Sequence, residues 1–148
     1  MNYKKAQKDI FARLVKGDRV VKVEACEPCV ILSDGMAGWV FHEDKNYIDL
    51  NKIPGPGARV HLDIVSEENL LTMTNTLKSY KGLTLRQFID FAGSPIYVQE
   101  TYLRNFDSEP RFYQELSNGP IVVTERDVTD HEQIVGFVMP VKYTENEF

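Results

Sequence analysis

The chain has 148 residues, 43% of them hydrophobic and 26% charged, a balance near the globular average that excludes an intrinsically disordered chain and a disulfide scaffold. That length suits one domain, which buries roughly 68–70% of its unfolded surface and needs no staples. A formal net charge of −5 excludes a uniformly cationic nucleic-acid binder, because phosphate contact needs a positive surface.

The charge is unevenly spread. Residues 1–16 hold Lys4, Lys5, Lys8, Arg13 and Lys16 against Asp9 alone, a net +4 that leaves −9 for the remaining 132 residues. In this segment Tyr3, Ala6, Ile10, Phe11 and Leu14 recur at helical spacing, with Lys5, Lys8, Arg13 and Lys16 opposite. The pattern predicts an amphipathic helix that Gly17-Asp18 ends. Charge also occupies the place where a signal peptide has its apolar core, and no apolar run approaches the roughly eighteen residues of a membrane span. A cytoplasmic protein with no membrane partner is the expectation.

VVKV, VILSDG and MAGWVF then predict a meander of three strands, the last two joined at Asp34-Gly35, a dipeptide that tolerates positive φ. Ile53-Pro54-Gly55-Pro56-Gly57 forbids helix and reads as a connector. ARVHLDIV and LLTMTNTLKSY alternate apolar with polar residues and predict two neighbouring antiparallel strands. Thr84 and Gln87 have capping-box spacing. With Leu85, Phe88, Ile89 and Ala92 at i, i+3, i+4, i+7 they predict a second helix, stopped by Gly93-Ser94-Pro95 and with Arg86 balanced by Asp90. Beyond it IYVQ predicts a strand, ETYLRNFD a short helix, and RFYQE, PIVVTE and QIVGFVMPVKY an antiparallel meander with its turn at Ser117-Asn118-Gly119. Val135, Phe137, Met139 and Val141 on one side of the last strand, with Ile134 and Val138 on the other, predict burial on both faces.

The expected fold is therefore α+β. Residues 1–143 form a single domain of two or three helices on antiparallel sheets of about eight or nine strands, and 144–148 form a flexible tail.

Little catalytic chemistry is offered. Cys26-Glu27-Pro28-Cys29 has redox spacing, yet Cys29 leads into a strand and not into the helix that would lower a thiol pKa. Cys26, Cys29 and His42 match three ligands of a two-Cys, two-His zinc site, and the fourth is missing at the expected spacing. A turn flanked by two small thiols is the plain alternative. His61 and His131 fall on a wet strand face and in a loop, with no nucleophile placed beside them. Tyr97, Tyr102, Phe106, Phe112 and Tyr113 could stack nucleobases, but Glu100, Asp107, Glu109 and Glu115 oppose a phosphate chain, so packing is the better reading. No cofactor or resident metal is indicated, a small-molecule ligand is left open, and a non-enzymatic role is expected.

The order Tyr102-Leu103-Arg104-Asn105-Phe106, Pro120-Ile121-Val122-Val123, Val138-Met139-Pro140-Val141-Lys142 resembles the end of the last domain of a bacterial DNA polymerase sliding clamp, and Ser33-Asp34-Gly35 resembles that family's Thr-Asp-Gly turn. The resemblance covers about a third of the chain. It implies a bacterial or phage protein, two similar helix-plus-meander halves related by a pseudo-two-fold, and helices facing a duplex. Lys5, Lys8, Arg13 and Lys16 would then meet phosphates during replication of a mobile element. Clamp chains carry three such domains and this one has room for one, so a closed ring would need about six copies in head-to-tail contact. The alternative is a protein-binding module without nucleic-acid contact, pairing its terminal strand with itself or a partner.

Overall fold

Asn2 opens the first helix, α1 (Tyr3–Lys16), by accepting the Lys5 N–H on its side-chain oxygen at 3.1 Å. Gly17 closes it at φ 81°, a left-handed conformation that costs glycine nothing, and its N–H returns to the Leu14 carbonyl. The structure is a computed structural model that describes residues 2–17, 20–24, 29–42, 66–107, 109–126 and 129–143. Ala6 and Ile10 are fully buried, and Leu14 packs on the same ridge. Phe11 does not join them. It is 61% exposed and Val15 72%, because each lies about 100° round the helix from the ridge that touches the sheet.

Among the described residues, nine strands form one antiparallel sheet. They are β1 (Val21–Glu24), β2 (Cys29–Ser33), β3 (Ala37–His42), β4 (Leu70–Tyr80), β5 (Leu83–Ile89), β6 (Pro95–Gln99), β7 (Arg111–Tyr113), β8 (Ile121–Arg126) and β9 (Glu132–Val138). Their order in space is β1-β2-β3-β9-β8-β7-β4-β5-β6. A 3-10 turn at Glu67–Asn69 precedes β4, and a short 3-10 helix at Glu100–Asn105 follows β6. The class is α+β with sheet predominating. Among the described residues, no helix is long and apolar enough to cross a membrane.

Turn chemistry sets much of the register. Asp34 accepts the Met36 and Ala37 N–H groups on one oxygen at 2.9 and 3.0 Å, and Ser33 donates its hydroxyl to the Ala37 carbonyl, which fixes the β2–β3 hairpin as its sequence predicts. Lys81 and Gly82, both at positive φ, turn β4 into β5.

That second hairpin overturns the helix expected at 84–92. Leu85 and Phe88 are both fully buried, but they lie on opposite faces of a regular strand, so their helical spacing is incidental. Gln87 makes no capping box and instead meets Thr74 and Tyr97. Arg86 pairs not with Asp90 but with Glu100, through two bonds of 2.9 and 2.7 Å. The expected stop at 93–95 is a turn in which Asp90 accepts the Ala92 and Ser94 N–H groups. The connector at 53–57, the strand expected at 58–65, Cys26, His61 and the tail at 144–148 lie outside the described residues.

β8 and β9 sit mid-sheet, and Ile121, Val122, Val123, Val135, Phe137 and Val138 are all buried. The two-sided burial expected of the last strand is thus satisfied within the chain. β8 pairs with β9 along one edge, and β3 pairs with its other edge at Gly136, Phe137 and Val138. Where β3 crosses β9, a Cβ on Gly136 would stand 2.2 Å from the Gly38 carbonyl oxygen, and only glycine permits that approach. Just past β9 the chain reaches the far edge of the sheet, where the Val141 N–H bonds the Tyr97 carbonyl at 2.8 Å. The sheet from β4 to β9 is therefore curled until its last strand's extension meets β6.

Candidate interaction surface

The cationic segment is helical as its sequence predicts, but only part of its charge faces outward. Lys4, Lys8 and Lys16 are exposed and Lys5 is half-buried. Arg13 is turned inward. Its Nε donates to Asp34 Oδ2 at 3.0 Å, and its guanidinium lies 5.2 Å from the centroid of the buried Trp39 ring. An arginine that stacks on an indole while paired to a carboxylate is fixed in place and contributes packing as well as charge. Of the four residues expected to meet phosphates, Lys5, Lys8 and Lys16 remain toward solvent, and Arg13 serves to dock α1.

The same carboxylate also gathers the 3-10 helix. Tyr102 donates its hydroxyl to Asp34 Oδ2 at 3.4 Å, and its ring packs on Trp39 with centroids 6.3 Å apart. Burial, with the neighbouring Asp34 charge, raises the Tyr102 pKa, so the phenol stays a donor well past neutral pH. On the other flank of α1, Asn105 donates from Nδ2 to Asp9 Oδ2 at 3.0 Å, and the Asn2 N–H reaches the Asn105 carbonyl at 2.9 Å. The one acidic residue of α1 is thereby held at the inner side, and the outward face carries lysines alone.

Two apolar side chains complete that face. Lys4, Lys8, Phe11 and Val15 fall at i, i+4, i+7, i+11, a single stripe along the helix. Phe11 and Val15 were missed as surface residues because a broad apolar stripe in sequence does not say which of its edges meets the sheet. Their spacing with Lys4 and Lys8 was the available signal.

Among the described residues, the remaining candidates do not assemble into a site. In comparisons with family models, curated proteins and solved structures, nothing matches this chain. Tyr97, Phe106, Phe112 and Tyr113 are buried, and Phe88 packs edge-on to Phe112 at 4.8 Å, which makes these rings core and not a stacking platform. His131 is exposed. Cys29 opens β2, the strand its context predicts. Among the described residues, no three of His, Cys, Asp and Glu come together as metal ligands.

Proposed function

We propose that this chain is a non-enzymatic interaction domain, built like one sliding-clamp unit, that binds a partner protein through the outward face of α1. The observation that carries the choice of surface is the exposure of Phe11 and Val15 in line with Lys4 and Lys8. Fully burying such a side chain contributes about 1.5–3 kcal/mol, and a phosphate backbone offers nothing apolar to bury it against. The face fits a surface with an apolar centre and carboxylates around it.

The clamp-like part of the proposal draws support from the sheet order. The run β1-β2-β3-β9-β8-β7 keeps its form when β1, β2 and β3 are exchanged for β7, β8 and β9, and a helical element precedes each meander. β3 and β9 pair antiparallel, as equivalent strands across a two-fold must, and α1 lies against the 3-10 helix. β4, β5 and β6 are additions outside this pattern.

A second reading is duplex DNA, in replication of a mobile element, favoured by the lysine-only charge of the same face. One pair of measurements separates the two. A photo-crosslinker replacing Phe11 in cells gives a protein adduct that disappears in a Lys4→Glu, Lys8→Glu background, and the same group at exposed Asn75 gives none. Absence of an adduct, or an identical one from both positions, overturns the protein reading. Labelled duplex that binds with a log–log salt slope of about −3 to −4, as expected for four lysine contacts, and that is lost on changing Lys4, Lys5, Lys8 and Lys16 to Ala, moves the assignment to DNA.

A further inference from the structure

The starts of β4, β6 and β8 and the ends of β5, β7 and β9 come together at one end of the curled sheet, around an open cleft of about 760 Å3. Glu68, Asp90 and Glu115 line it against Lys142, a net charge of −2. Tyr97 and Tyr143 form part of its wall, with their rings 4.7 Å apart. Phe91 stands 89% exposed on the loop between β5 and β6, and Leu116 68% exposed on the turn between β7 and β8. Asp90 is committed to its own turn. Glu68 and Glu115 are exposed, and their carboxylates have no ionic or hydrogen-bonded partner among the described residues. The cleft is acidic, with Phe91 as an apolar lip.

We infer that the occupant of this cleft is the α1 face of a second copy of the chain. This rests on the reading of α1 as a protein-binding surface and names its partner. The stripe offers two positive charges and two apolar side chains, Lys4, Lys8, Phe11 and Val15. The cleft offers a net charge of −2 and the exposed ring of Phe91, with exposed Leu116 adjoining the lining residues Glu115 and Ser117 in sequence. Each copy carries both halves of the contact, so one molecule's helix enters the next molecule's cleft and association runs head to tail. Opposed charge on the two surfaces steers the encounter and makes it salt-sensitive.

Sedimentation equilibrium of the full chain tests this directly. Wild type rises above monomer mass with increasing concentration at low salt and falls back toward monomer in about 0.5 M salt, where surface charges are screened. Lys4→Glu with Lys8→Glu, and separately Glu68→Lys with Glu115→Lys, each weaken association at least tenfold. All four positions are exposed, and unchanged circular dichroism verifies that each variant folds. An equimolar mixture of the two variants associates again, because the acidic helix of one meets the basic cleft of the other while the two native surfaces also meet. A wild type that stays monomeric at every concentration overturns the inference, as does a mixture that fails to recover. Association abolished by the helix variant but untouched by the cleft variant also overturns it, while leaving the α1 reading intact. Loss of the position-11 crosslink is the separate result that removes that reading.

Discussion

Glu132 ties three strands together with one carboxylate. Its Oε1 accepts the Tyr113 hydroxyl from β7 at 2.6 Å and the Thr124 hydroxyl from β8 at 2.5 Å. Burial alone would raise its pKa, but the Thr124 and Tyr113 hydroxyls, with the Arg111 and Arg126 charges, hold it below the usual carboxylate range. A carboxylate whose folded pKa lies below its unfolded one stabilises the fold above the ordinary range of about 4, and loses that contribution as pH falls through the depressed value. Glu132→Gln is therefore expected to melt below wild type at pH 7, with the gap closing as both are acidified below about pH 4. Melting curves at matched ionic strength across that range check it, and a gap as wide at pH 3 as at pH 7 excludes the assignment. Arg86 is a similar knot of long range: besides Glu100 it donates to the Thr74 carbonyl at 3.1 Å, inside the irregular stretch of β4. Neither partner was foreseeable from spacing, since both bonds span more than ten residues.

At the level of elements, α1 separates its two apolar edges by energy. Ile10→Ala removes a fully buried side chain and is expected to cost about 2–5 kcal/mol. Phe11→Ser with Val15→Ser touches only exposed groups and is expected to stay within about 0.5 kcal/mol per site of wild type. Urea unfolding of the two variants measures the contrast, and equal losses would mean that the outer edge is covered. The limits of α1, the Asp34 hairpin and the β7–β9 meander were legible in the sequence, because caps, turn residues and period-two runs act locally. The segment 83–89 was not. Its helical spacing of Leu85 and Phe88 competes with a turn at Lys81-Gly82 and a neighbouring strand on each side, and tertiary pairing decides such contests. The outward lysines were legible as a set. That Arg13 leaves the set was hidden, because Asp34 and Trp39 reach it only through the fold.

For the molecule as a whole, the bond from Val141 to Tyr97 matters most, since it seals the curl. At Tyr143 the chain stacks again, on Tyr80 and Tyr97 with ring centroids at 5.2 and 4.7 Å. Val141→Pro deletes the N–H that bonds Tyr97 and is expected to lower stability by about 1 kcal/mol. It is also expected to speed tryptic cleavage after the exposed Lys142; an unchanged cleavage rate would show that the strap is held by other means. None of this closure was legible, because it joins residues more than forty positions apart through a single bridge.

The position of β9 also dictates an order of assembly. It comes after every other described strand yet lies between β3 and β8, so a ribosome releases both neighbours with bare hydrogen-bonding rims before the strand that joins them exists. Translation proceeds at roughly 5–20 residues per second, and for the seconds between β3 and β9 the nascent meanders must wait unjoined. A chaperone that shields strand rims would have its greatest effect in that interval.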